Sequence, residues 1–335
     1  MISFSVIGCG HIGKRHMAMI NNHPESKLLS VCDTAEPASI GLNALTQGTD
    51  VQIYPAFEEL LASSNCGDVV SIATPNGLHE EMALAVLRAG KNVVIEKPMA
   101  LTKAGCERII FEALNRHKQV FCVMQNRYSP PSVWLKSLMT ENRLGKIYQV
   151  QINCYWNRDQ RYYKPGNWHG NKALDGGTLF TQFSHFIDIM YWLFGDITNI
   201  KSRMVSHNHV GLTDFEDSGN VFFDFVNGGQ GCLNFSTSCY DQNLESSLTI
   251  IGEKGSVKVG GQYMNEVEYC HIKDYNMPEL PPSAPPNDYG AYKGSAANHH
   301  FIFENVVDVM MGRGPITTNA LEGLKVVDII ERIYS

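Results

Sequence analysis

Positive charge is in short supply in this sequence. Its 27 Lys and Arg stand against 34 Asp and Glu, for a formal net charge of -7. That balance argues against a nucleic acid partner, although a local cluster of Arg and Lys can still serve a small anion. No apolar run is long enough to span a bilayer, so no membrane partner is expected. A secretory leader is not expected either, because Lys14 and Arg15 follow the apolar run Met1 to Gly8 rather than precede it. The nine cysteines follow neither a zinc spacing nor a disulfide framework, which reads as reduced thiols in the cytoplasm. Cys9 is taken as small filler. Dense histidines occur only at His299-His300 and at His207 with His209, with no third ligand in sight, so no metal is expected. Internal repeats and low-complexity tails are lacking too.

What is present is a chain of 335 residues, more than one hydrophobic core usually organises. Short apolar runs alternate with helical patterns through the first third: Ile2 to Ile7, Leu28 to Cys32, Val69 to Ile72, Val93 to Ile95 and Val120 to Val123. Buried strands alternating with helices predict an α/β Rossmann domain, a doubly wound parallel sheet, over residues 1–124. From Gln125 the pattern changes to strand-like runs with few helices between them, punctuated by the hairpin signal Asn227-Gly228-Gly229. Residues 125–335 are therefore expected to form an α+β domain with a large, mostly antiparallel open-faced sheet. The last helix is free to pack back on the first domain. One sheet face has no sequence-local helix to cover it, and another subunit is expected there.

The segment Gly8-Cys9-Gly10-His11-Ile12-Gly13 follows an apolar strand and opens a helix. Gly8 permits a tight turn, Gly10 lets backbone approach a pyrophosphate, and Gly13 lets helix and strand pack closely. Asp33 ends the second strand, where a carboxylate accepts from the adenosine ribose and repels a 2′-phosphate. NAD is thus expected over NADP; the alternative for Asp33 is a helix N-cap ahead of Glu36. Lys97 follows the strand Val93 to Ile95 at the ligand-facing end of the sheet. Burial and a neighbouring cationic ring draw a lysine toward a useful acid/base range, while a structural pairing with Glu96 is the alternative.

Ala73-Thr74-Pro75-Asn76 with His79, then Ala89-Gly90-Lys91, then Glu96-Lys97-Pro98, resembles the Gfo/Idh/MocA oxidoreductase superfamily. The resemblance implies that Lys97 is catalytic, that Thr74, Pro75, Asn76 and His79 line the nicotinamide end, and that Glu96 contacts the cofactor near its ribose. It also implies a dimer or tetramer through the C-terminal sheet. Asp175-Gly176-Gly177 precedes a helix expected from Gly177 to Leu193, on which Thr181, Gln182, His185 and Asp188 share a face. Inositol-type members carry Asp where this chain has Thr181, which leaves Lys97 and His185 as the acid/base pair, with Asp188 available to orient the imidazole.

Tyr155 to Trp168 is rich in aromatic and cationic residues: Arg158, Arg161, Tyr162, Tyr163, Lys164 and Trp168. Such groups suit a sugar or base together with phosphate or carboxylate, or else serve as loop anchors. Gln125, on the cofactor side, and Arg127 and Tyr128, on the substrate side, add polar groups. The pattern is similar to the branch of the superfamily that oxidises C3 of UDP-N-acetylated sugars, such as UDP-N-acetylglucosaminuronate and UDP-N-acetylglucosamine, in lipopolysaccharide assembly. A free-sugar or inositol dehydrogenase, an NAD-assisted glycosidase and a non-catalytic sensor are the other readings. The intact Glu96-Lys97-Pro98 counts against the sensor.

Overall fold

The computed structural model describes residues 1–290 and 292–335. Its first compact unit comprises Met1–Met124 and His299–Val327. Six strands, β1 (Ile2–Ile7), β2 (Ser26–Cys32), β3 (Gln52–Tyr54), β4 (Val69–Ile72), β5 (Asn92–Ile95) and β6 (Val120–Cys122), pair in the order β3-β2-β1-β4-β5-β6. Every pair is parallel. Residues of β4 and β5 are buried on both faces, as helices on either side of a parallel sheet require. The order reverses between β1 and β4, and the loops leaving their carboxyl ends frame the crevice where such sheets bind ligands.

Residues 299–327 belong to this unit, not to the second, which departs from a division at residue 125 alone. The cause is apolar packing. Phe303, on helix His299–Met310, sets its ring 5.9 Å from Phe4 and 5.0 Å from His16. Thr318 then accepts the Cys122 N–H through its carbonyl and returns its hydroxyl proton to Cys122 O.

The second unit comprises Gln125–Asn298 and Asp328–Ser335. Its main sheet contains β7 (Ile147–Tyr155), β8 (Ile197–Val205), β9 (Ser218–Phe225), β10 (Gln230–Ser236), β11 (Glu245–Gly252), β12 (Gly255–Gly260) and β13 (Glu266–Ile272). The order is β13-β12-β11-β7-β10-β9-β8, antiparallel except for β7 beside β10. The Gly228 and Gly229 φ angles of 94° and 88° close the β9–β10 hairpin. Val150, Ile152, Phe223, Leu233 and Phe235 alternate onto a buried face. Phe183 and Phe194 cover it, 5.9 Å from Phe235 and 5.2 Å from Phe225. The other face is open and mixed, with Phe222, Ile251 and Tyr269 exposed beside an Asn153–Asn234–Asn220 amide ladder. A short pair, β14 (Pro286–Asp288) and β15 (Lys293–Ala296), completes the unit. No helix among the described residues is long and apolar enough to cross a membrane.

Candidate active site

Backbone contact shapes the glycine loop of the first unit. Gly8 has φ +87°, and a Cβ there would lie 2.6 Å from Ala73 O. Gly10 caps helix His11–Asn22, and a Cβ on it would meet nothing within 4 Å. A Cβ on Gly13 would sit 1.7 Å from Gly8 O, so only glycine lets the helix start this close to the loop. His11 and Ile12 form the first helical turn, whose N–H groups are the usual seat of a phosphate. The Asp33 carboxylate accepts the Cys9 N–H at 2.6 Å and the Ala35 N–H at 2.8 Å. It therefore fixes the loop and closes a short turn instead of capping a helix at Glu36. Burial, reinforced by Asp33, pushes the Cys9 thiol up to about 12, consistent with filler. These residues fit a dinucleotide: a cradle open at Gly10, a helix N-terminus and a ribose acceptor all at strand ends.

Thr74 and Pro75 follow β4, and Asn76 opens a 3-10 turn that leads into helix His79–Arg88. His79 is fully buried, with Nδ1 2.7 Å from Pro98 O and Nε2 2.9 Å from Thr74 O. Both partners are acceptors, so both contacts are hydrogen bonds only when the ring carries two protons. Burial pulls the His79 pKa down while the two carbonyls oppose it. His79 thus ties the loop after β4 to the loop after β5, where Lys97 sits before a cis Pro98. Glu96, buried, faces His16 and His299. Neither histidine was legible as a partner from sequence. The only hint was that His16 follows Gly13 by one helical step on the buried side.

In the second unit the expected continuous α-helix begins differently. Leu179–Phe183 is a π-helical turn, and the α-helix proper is Ser184–Phe194. The wider turn shifts Thr181 and Gln182 around the axis relative to His185, so the simple α spacing does not hold across it. Thr181 donates its hydroxyl proton to the Asp175 carboxylate. Gln182 accepts from Arg158 Nε at 2.7 Å and donates to the Tyr162 hydroxyl at 2.8 Å. Gln125 Nε2 donates to His185 Nε2 at 3.2 Å. The Tyr334 hydroxyl accepts the Leu179 N–H at 3.0 Å and donates to Glu216, anchoring the start of the π turn.

The predicted cationic residues are placed unequally. Arg127 is buried, and both Asp188 oxygens accept from its guanidinium at 2.5–3.1 Å. Arg158 is 2% exposed and lies 4.8, 5.3 and 5.0 Å from the rings of Trp156, Tyr162 and Tyr292. It donates to Gln182, to Asn157 O and to Lys293 O. Arg161 is part-exposed and paired with Asp159 and Asp241. Tyr163 is buried edge-on to His209, and Trp168 stacks on His169 at 3.9 Å. Tyr128 is half-buried at the end of the Gln125–Tyr128 turn. Arg158, Tyr162 and Gln182 thus form one polar cluster, whereas Thr181 is bonded to Asp175, His185 to Gln125, and Arg161 belongs to the surface.

Comparison with known proteins gives a family match and three similar proteins. Residues 2–124 match the oxidoreductase family with an NAD-binding Rossmann fold, and residues 133–258 match the GFO/IDH/MocA C-terminal domain. The WlbA dehydrogenase of Bordetella pertussis, crystallised with NADH and UDP-GlcNAcA, is similar at 31% identity and TM-score 0.87, over 99% of this chain and 95% of that one. Its counterpart from Chromobacterium violaceum, with the same ligands, gives 32% and 0.86 over 99% and 92%. An inositol 2-dehydrogenase/D-chiro-inositol 3-dehydrogenase of Halalkalibacterium halodurans is 30% identical over 58% of this chain and 53% of its own length.

Proposed function

Given that the chain belongs to the GFO/IDH/MocA oxidoreductase family, we propose that it oxidises the C3 hydroxyl of a UDP-N-acetylated sugar, glucosaminuronate or glucosamine, to the 3-keto sugar. It is an NAD-dependent oxidoreductase of the sugar and polyol type. The nucleotide-sugar reading is carried by the likeness, over 99% of the chain, to dehydrogenases crystallised with UDP-GlcNAcA.

Bound NAD supplies the electron acceptor at the reacting carbon. Gly8, Gly10, His11, Ile12 and Gly13 would hold its pyrophosphate, Asp33 its adenosine ribose, and Thr74, Pro75, Asn76, Glu96 and Gln125 its nicotinamide end, with His79, buried on Thr74 O and Pro98 O, fixing the loops behind them. Oxidation of a secondary alcohol also needs the O–H proton removed as the C–H bond breaks. Lys97 takes that proton, and His185, held by Gln125, is the second member of the acid/base pair. Arg127, Tyr128, Arg158, Tyr163, Trp168, Thr181 and Gln182 form the sugar-nucleotide side, with the aromatic–cationic set around Arg158 favouring an anionic ligand, while Arg161, paired at the surface with Asp159 and Asp241, lies outside it. The enzyme works in the cytoplasm in lipopolysaccharide assembly, as a homo-oligomer joined through the open sheet face.

One observation favours a polyol instead. The Thr181–Asp175 bond sets a carboxylate beside the position where inositol-type members carry Asp. Net NADH formation, followed by absorbance with UDP-GlcNAcA, UDP-GlcNAc and myo-inositol, decides between them. Faster turnover of inositol sinks the nucleotide-sugar reading. Release of a free sugar without net NADH points to the glycosidase.

A further inference from the structure

Glu96 is a buried carboxylate held from two sides. Its Oε1 lies 3.0 Å from His16 Nε2 and 3.6 Å from His299 Nε2. Its Oε2 accepts the Lys97 main-chain N–H at 3.1 Å. The second nitrogen of His16 bonds Ser71 Oγ at 2.8 Å, which fixes the ring. Exposures are 0% for His16, 6% for Glu96 and 1% for His299. The three residues come from the helix after the glycine loop, the end of β5 and the first turn of helix His299–Met310, so the contact is a meeting of distant segments.

A carboxylate this deep stays charged only beside a compensating group. Burial works against the Glu96 anion, yet the two imidazoles hold it well below the usual carboxylate range. Burial likewise pulls His299 down, against the pull of Glu96. The ligand atoms lie within 4.8 Å of one another, close enough for a metal, but among the described residues no fourth His, Cys, Asp or Glu joins them. Three buried ligands without a fourth fall short of the four-coordinate set of a structural zinc site, so the cluster is read as a hydrogen-bonded clamp.

We propose that His16 and His299 are positioning residues for Lys97: they clamp the Glu96 carboxylate, whose second oxygen holds the Lys97 N–H, and so fix the loop from which Lys97 acts. This rests on the role given to Lys97 above. His79 completes the restraint from the other side through Pro98 O. The charged and titratable groups around the cluster are Lys97 on the loop itself, His79 on its helix and Arg15 beside His299. Glu96 is the anion among them.

The test uses the full chain with NAD and UDP-GlcNAcA. His299→Gln and His16→Gln are compared with Lys97→Met. Displacement of a reacting group by about 1 Å costs on the order of 100-fold. A fall in kcat of about 10- to 100-fold is therefore expected in the Gln variants, with little change in KM. The acid limb of the kcat profile should shift, and hydrogen exchange should quicken in the peptide carrying Lys97. Should His16→Gln fail to fold, His299→Gln with the exchange measurement still decides. Wild-type kcat, pH profile and exchange in His299→Gln overturn the clamp, and so does stoichiometric zinc in the purified chain. Turnover retained by Lys97→Met removes Lys97 from the chemistry instead, a separate failure that leaves the exchange result to judge the clamp.

Discussion

Replacing Arg127 with Leu should unfold the second unit at a much lower temperature. The guanidinium is 4% exposed and Asp188 2% exposed, and both carboxylate oxygens accept from it. Removing one member leaves a buried, uncompensated charge, which costs about 3–5 kcal/mol. For a domain of this size each kcal/mol moves the midpoint by about 2–4 °C. The expected drop is then roughly 6–20 °C by calorimetry, with Asp188→Leu behaving alike. The double variant, which removes both charges and leaves apolar groups, should recover most of the loss. Its KM for the sugar separates two roles. If Arg127 serves only Asp188, KM returns with the midpoint. If Arg127 also holds substrate, KM stays high while stability recovers. Single variants within about 1 kcal/mol of wild type would falsify the idea that this pair sits in a dry interior.

Gly13→Ala needs at least a 1.3 Å parting of helix and loop, the difference between the 1.7 Å contact and the 3.0 Å floor for real Cβ atoms. NAD affinity by calorimetric titration should fall by about 100-fold, and a value within a few-fold of wild type contradicts the geometry. Asp33→Ser removes the carboxylate that would repel a 2′-phosphate. The ratio of kcat/KM for NADP over NAD should rise by about 100-fold, and an unchanged ratio means selection lies elsewhere. Burial lowers the pKa of His79 and of His299, so the unfolded chain binds more protons below the ordinary value. Stability should therefore rise with pH across that window and fall as pH drops below about 6.5, by up to about 1.4 kcal/mol per pH unit for each ring. Glu96 is depressed, so its share is lost only at more acid pH, as its folded value is crossed. Calorimetric midpoints at several pH values check this, and a flat profile between about pH 7.5 and 5.5 refutes it.

The first domain was legible because its signals are local. A β-branched run, then glycines spaced for a turn, then a helix leave little choice, and Gly13 meets Gly8 O as that spacing requires. The short strand β3 was missed because Gln52–Tyr54 has too few residues to show a period. The second sheet followed from alternation and from Asn227-Gly228-Gly229. The π turn did not. An extra residue in one helical turn changes no residue type, so Leu179–Phe183 reads as ordinary helix.

Candidate site residues could be named from sequence but their partners could not, and charge shows why. Sequence alone treats Arg127, Arg158 and Arg161 as equivalent cations. In the fold their cost of desolvation differs completely. Arg161 remains near water and takes carboxylates that contribute little. Arg127 has entered the interior only with Asp188 bound to it. Arg158 is buried against three aromatic rings and polar oxygens, and burial alone pulls its pKa down. A guanidinium held without a carboxylate among its hydrogen-bond partners keeps its attraction for an anion, whereas one neutralised by Asp188 does not. On this ground Arg158, together with Gln182 that orients it, is a stronger claimant than Arg127 or Arg161 for an anionic sugar. Arg158→Met should accordingly raise KM more for UDP-GlcNAcA than for UDP-GlcNAc, and an equal rise for both removes Arg158 from reading the carboxylate.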